Sequence, residues 1–230
     1  MRINKKMWLN LGAALLVMFA ISCAPKKGVD PALMQGPGWT MTDNNLHQVD
    51  GPPVGPGQPE QAFRVWRSGS PDKETFAKWC SVYHIKRVID MSGTAKDHEL
   101  KYQAEGVCPE IQVIYTVEQN HAEAVSDGFL DYFDAQIARA KADNVGVLFR
   151  CHTGSHRAGR TAAYYQMKYQ GLTADQAIAV MDYNGMLMPL FDPVLRPQVK
   201  ALYDYLHNQP CSQDQKWCVE KNSDKWAPDK

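Results

Sequence analysis

Cys151 and Arg157 stand six residues apart in the stretch VGVLFRCHTGSHRAGRT, residues 145–161, with Gly154 between them. A cysteine attacks only as its thiolate, and a helix N-terminus with a nearby guanidinium lowers a thiol pKa from about 8.5 into roughly the 3.5 to 7.5 range. If the chain between them curls so that both face one ligand, Cys151 becomes an ionised nucleophile inside an anion cradle. Arg157 offers a planar fork of donors that matches two oxygens of a phosphate, a fit that a lysine does not reproduce. Gly154 permits a positive φ or a close backbone approach in the middle of the curl.

Such a curl needs a strand before it and a helix after it. Val147, Leu148 and Phe149 suit a buried strand, whereas residues 151–157 are too polar and too small to continue one. Residues 158–170 then read as a helix stopped by Gly171. The loop is therefore expected at the carboxyl end of a strand, where open α/β sheets place their ligand sites. The following helix would aim unpaired backbone N–H groups at an anion held there.

The pattern C-x5-R, here CHTGSHR, resembles the signature of the protein tyrosine phosphatase superfamily. A second stretch carries the same resemblance. FRVWRSGSP (residues 63–71), a helix, and then IKRVIDM (residues 85–91) are similar to the opening of atypical dual-specificity phosphatases and of bacterial PTP-like phytases, which hydrolyse inositol polyphosphates. The resemblance implies an α/β domain with a central sheet flanked by helices, and a phosphate-binding loop between a central strand and a helix.

It also implies a chemistry without metal or other cofactor. Cys151 would form a phosphocysteine that water hydrolyses, while Arg157 and the loop N–H groups hold the equatorial oxygens. His152, Thr153, Gly154, Ser155 and His156 would complete the substrate-binding loop. The family's general acid is an aspartate on an earlier loop, after a strand and before a helix. The corresponding residues 118–123, EQNHAE, hold no aspartate. Glu118, at the strand end, is the first candidate, with Glu123, His121 and Asp127 as the others. Two further positions depart from the family pattern: Arg150 stands where histidine usually precedes the cysteine, and Ala158 where a hydroxyl usually follows the arginine. Ser155, Thr153 or Thr161 could supply that hydroxyl. Arg150, if it points inward, would lower the thiolate pKa further, and His152 and His156 would add partial positive charge at the rim.

The elements around the loop are legible from pattern. Ser70-Pro71 with Asp72 and Glu74 marks a capped helix start. Residues 111–117 read as a strand. Phe129, Leu130, Phe133 and Ile137 form an apolar helical stripe, core rather than a ligand box. Thr173 with Gln176 is a capping box, and a last helix covers about residues 197–207.

Four segments follow. Residues 1–22 have a basic start, Arg2, Lys5 and Lys6, and an apolar run too short for a confident membrane span; with Ala20-Ile21-Ser22-Cys23 they resemble a bacterial lipoprotein signal. A lipid on Cys23 would be the only membrane attachment of an exported, periplasmic or outer-membrane-anchored protein. Residues 23–60, with GPG and GPPVGPG, read as a Gly/Pro-rich tether, of which residues 39–49 could pack on the domain. Residues 61–208 form the phosphatase-like domain, and residues 209–230 a tail. In an exported chain Cys211 and Cys218 could close one disulfide and Cys80 and Cys108 another. No Cys/His cluster has metal-ligand spacing.

Charge bounds the partners. The chain has 25 basic and 25 acidic residues, and cleavage would remove three of the basic ones. Nothing here resembles the basic surface of a nucleic-acid binder. Arg67, Lys96, His98 and Lys101 could instead form a local basic rim for a highly phosphorylated small molecule, an inositol polyphosphate ahead of a phosphotyrosine peptide. A phosphate-binding pseudophosphatase module is the competing class; a sulfurtransferase would need a different loop spacing.

Overall fold

The computed structural model describes residues 38–185 and 193–228. The leader and Cys23 lie outside the described residues. Among the described residues no helix is long and apolar enough to cross a membrane.

Five strands, β1 (His47–Asp50), β2 (Arg64–Ser68), β3 (Ile85–Asp90), β4 (Gln112–Thr116) and β5 (Gly146–Arg150), form one sheet in the order β1-β2-β5-β3-β4. β5, the strand that carries the cysteine loop, is central and parallel to both neighbours. All five of its residues are buried, which is why Val147, Leu148 and Phe149 read as a continuous apolar run rather than an alternation. Its side chains nevertheless divide by face. Val147 and Phe149 join Val65, Ile89, Phe133 and Tyr164 on one side, and Leu148 joins Trp66, Phe76, Trp79 and Val88 on the other.

Helices cover both faces. α1 (Lys73–Ser81) and α2 (Glu99–Ala104) lie toward the Trp79 side. α3 (Asp127–Ala142), α4 (Arg157–Gln170), α5 (Ala174–Tyr183) and α6 (Leu195–Leu206) lie toward the Phe149 side. The stripe Phe129, Leu130, Phe133 and Ile137 is buried there, as its spacing predicts. α4 ends at Gly171 with φ +71°, and the Thr173–Gln176 capping box opens α5. The expected α/β sheet with flanking helices and a loop between central strand and helix is the architecture observed.

Three local expectations change. The cap of α1 is Asp72, which accepts from the Thr75 N–H at 2.7 Å; the Ser70 hydroxyl is engaged elsewhere, below. The tether does not run to residue 60. β1 lies within it and adds antiparallel to β2 at the sheet edge, and Arg64 donates to the carbonyls of Pro52, Pro59 and Glu60, so Gly/Pro-rich sequence here means a strand and a tied loop. The tail is likewise part of the domain. Tyr115 donates to the Trp226 carbonyl at 2.7 Å, and the Asn222 and Ser223 N–H groups donate to Asp127. Cys80–Cys108 and Cys211–Cys218 are both disulfides, leaving Cys151 as the free thiol among the described residues.

Integrating β1 has a measurable consequence. His47 is buried, and burial, helped by the Arg67 guanidinium, pushes its pKa from 6.5 down to about 3. A base whose pKa falls on folding stays neutral in the folded protein but binds a proton when unfolded. Stability is therefore intact above about pH 6.5 and is lost as pH falls from there toward 3. The expected loss by pH 5 is about 2 kcal/mol, read from urea unfolding at pH 7 and pH 5. A His47→Gln variant should lack this increment; an undiminished acid loss in that variant would assign it to other groups.

Candidate active site

Residues 151–157 turn sharply between β5 and α4. Cys151 is 1% exposed, and its N–H donates to the Ser68 carbonyl at 3.3 Å, continuing the β2–β5 pairing by one residue. Gly154 has φ +69°, and a Cβ there would lie 2.7 Å from the Gly69 nitrogen and from the Ser68 carbonyl carbon. Any side chain would drive the loop off the end of β2, so glycine is required twice over. Gly69 answers it from the other side, where a Cβ would meet the His152 carbonyl oxygen at 2.8 Å.

Arg157, the first residue of α4, reaches back across the loop. Its Nη1 donates to the carbonyls of Met91 and Gln119, both at 2.9 Å, while its Nε is buried without a partner. One end of the guanidinium is thus clamped between the exits of β3 and β4, and the Nε edge remains for an oxyanion. Cys151, this guanidinium and the start of α4 thus meet in one short loop.

Arg150 does not face the sulfur. It is fully buried, with Nε and Nη2 each 2.6 Å from a Glu99 oxygen and Nη1 2.9 Å from Asp90. Nη1 also donates to the hydroxyls of Ser70, Ser92 and Thr94. Two carboxylates take up its charge, so it is a brace that ties β5 to the ends of β2 and β3 and to α2, not a further activator of the thiolate. Burial pushes the Glu99 carboxyl up, against the pull of Arg150.

Arg67 also lies away from the substrate side. It is 1% exposed, and its Nη2 donates to the Gly154 carbonyl, supporting the loop from beneath. Its place on β2, between β1 and β5, buries it, which the sequence pattern did not reveal. Lys96 is exposed on a 3-10 turn (Ala95–Asp97) that directly follows the Arg150-bound Ser92–Thr94 loop, and Lys101 is exposed on α2. His152 is exposed, but partial burial and the guanidiniums of Arg157 and Arg150 hold it below the ordinary histidine range, so it adds less positive charge than expected. The His156 ring stacks on His121 with centroids 5.2 Å apart, joining the cysteine loop to the loop after β4.

The acid candidates separate by surroundings. Glu118 is exposed and directly precedes Gln119, whose carbonyl holds Arg157; its backbone nitrogen lies 3.0 Å from where a Gly93 Cβ would sit. Glu123 pairs with Lys225 at 2.9 Å and accepts from Asn120, and these bonds hold its carboxyl below the usual range. For Asp127, burial pushes the pKa up, but the Ser223 and Asn222 N–H groups outweigh it and keep the group ionised. Both are tail anchors. The hydroxyl candidates divide as well: Thr161 donates to the Met91 sulfur, and Ser155 lies 5% exposed with its hydroxyl 3.5 Å from the Thr153 carbonyl.

Several supporting residues were not singled out from sequence. Asn44 accepts from the Gly69 N–H at 2.6 Å, and the Asn45 amide donates to the carbonyls of Thr153 and Asn184. Arg160 donates to the Glu123 carbonyl and to Gln119, fixing the loop that carries Glu118. The one signal was the segment 39–49, read as able to pack on the domain, which holds both asparagines.

No protein-family model matches the chain, and no curated protein does. Solved structures do. PTPMT1 in complex with PI(5)P superposes with a TM-score of 0.52 at 11% identity, over 71% of this chain and 97% of that one. A mutant form of Tk-PTP gives 0.50 at 13% identity, over 67% and 97%. TpbA from P. aeruginosa is 24% identical over 63% of this chain and 86% of its own, at a TM-score of 0.48. The fold is therefore the one that PTPMT1 and Tk-PTP have.

Proposed function

We propose that the protein is a phosphomonoester hydrolase that works through a phosphocysteine on Cys151, with inositol polyphosphates as its substrates. The observation that carries the reading is the loop itself: a buried free cysteine and an arginine clamped through Nη1 with its Nε edge unpartnered, on either side of an obligatory glycine.

In the first step the Cys151 sulfur attacks phosphorus and the bond to the ester oxygen breaks. Glu118, as the carboxylic acid, gives its proton to the departing alkoxide. In the second, the Glu118 carboxylate takes a proton from water, which attacks the phosphocysteine and releases inorganic phosphate and the thiolate. Arg157 and the loop N–H groups hold the equatorial oxygens through both steps. The exposed cations Lys96 and Lys101 support a substrate with further phosphates, and PTPMT1, which has the same fold, was solved with the phosphoinositide PI(5)P.

The test compares inositol hexakisphosphate, a phosphotyrosine peptide and p-nitrophenyl phosphate on the purified protein. The expected result is the highest kcat/KM for the inositol phosphate, with a steep decline as salt rises. A phosphotyrosine peptide turned over faster would move the substrate to phosphoproteins, and no turnover of any ester with binding intact would favour the pseudophosphatase module.

Glu118→Gln is expected to slow hydrolysis of alkyl esters by about 10² to 10⁴ while leaving the activated aryl ester much less affected. The same selective loss in His121→Gln instead would pass the acid role to His121.

A further inference from the structure

A cleft of about 490 Å³ lies not at the mouth of the cysteine loop but behind it, between β1 and helices α4 and α5; none of residues 151–157 lines it. Arg67 does. Its Nη2 is used by the carbonyls of Gly154 and Asn184, but its Nε and Nη1 are buried with no hydrogen-bond partner. Two acceptors on the same lining are also buried and unpartnered, Asn184 Oδ1 and Gln166 Oε1. Buried polar atoms are nearly always paired, so unpaired donors and acceptors on three residues of one cleft mark a place built for a polar ligand.

The lining also states the ligand's charge. His47, the other basic residue there, is kept neutral, which leaves the Arg67 guanidinium opposite one carboxylate, Asp50, already accepting from Tyr165 and from the Gly51 N–H. Arg67 and Asp50 together leave the lining neutral, so a phosphate dianion would stand two charges in excess, whereas the unpaired Nε and Nη1 donors match the two oxygens of a single carboxylate. The free amide oxygens require a ligand that donates. The geometry points to this cleft as a second binding site, for a small monocarboxylate whose other groups donate hydrogen bonds, a sugar acid or an amino acid. Because the same guanidinium holds the Gly154 carbonyl, such a ligand would share a side chain with the phosphate-binding loop.

This site does not depend on turnover at Cys151, so it is tested by binding alone. Calorimetric titration of the full chain carrying Cys151→Ser, with gluconate, L-serine and glucose, should show saturation by gluconate or serine and none by glucose; which of the two binds identifies the class. Gln166→Leu and Asn184→Ala, each checked for an unchanged fold by circular dichroism, should weaken that binding by about tenfold or more. Arg157→Ala should leave it within about twofold. The proposal is overturned if neither carboxylate saturates up to tens of millimolar, if glucose binds as well as they do, if both cleft variants bind like the parent, or if Arg157→Ala abolishes binding.

Discussion

A Cys151→Ser variant is expected to lose roughly 10³-fold or more in kcat on every phosphate ester while still binding the substrate. The loss follows from what the rest of the loop can and cannot do. A hydroxyl at this position is a far poorer nucleophile than a thiolate, because it stays protonated at neutral pH. The cradle survives the change, since Gly154 and the clamped Arg157 hold their positions through backbone contacts and through the carbonyls of Met91 and Gln119. Arg157→Lys should do the converse. It keeps a positive charge but loses the planar fork, and a drop of about 10² to 10³ in kcat is expected, the size measured when one preorganised oxyanion donor is removed. Single-turnover kinetics with p-nitrophenyl phosphate read both. Equal turnover by Cys151→Ser and the parent would remove the phosphocysteine mechanism altogether.

Arg150→Met should be the most damaging change to stability, at about 3 to 5 kcal/mol. Arg150, Glu99 and Asp90 are all fully buried, and the methionine would leave two carboxyl groups without their cation. Asp90 retains the N–H groups of Ser92 and Thr94, but Glu99 loses the two bonds its oxygens accept from Arg150. Adding Glu99→Leu should therefore recover more than about 1 kcal/mol relative to Arg150→Met alone. Urea unfolding of the two variants and the parent measures both effects. A cost below about 0.5 kcal/mol for Arg150→Met would mean that the brace contributes nothing, and no recovery in the double variant would mean that Glu99 is not the group left stranded.

The brace also accounts for the arginine that directly precedes Cys151. The position before the cysteine ends a strand buried on both faces, so whatever stands there must be satisfied internally. Here an arginine is satisfied by carboxylates on β3 and α2 and by three hydroxyls, which fixes the strand ends on which the loop sits.

What the sequence determined by itself was local. The apolar run of β5, the small polar residues after it and the helix-compatible residues beyond Arg157 set the order strand, loop, helix, and with it the placing of Cys151 and Arg157 at the two ends of one loop. The stripe on α3 and the Thr173 capping box were equally legible, because helical spacing and capping are written within one or two turns. Fates that depend on neighbours distant in the chain were decided only by the tertiary structure. Arg67 reads in the sequence as a rim cation and Arg150 as a neighbour for the thiolate, yet the fold buries both, one as a strut on Gly154 and one as a brace. Glycines and prolines before residue 60 suggest a tether, yet hydrogen bonds to β2 and Arg64 hold that segment as the sheet's edge. Glu123 and Asp127 were open candidates for the acid until the tail claimed them. In each case the residue's own type was unchanged; what decided its role was which partner the fold brought within hydrogen-bonding distance.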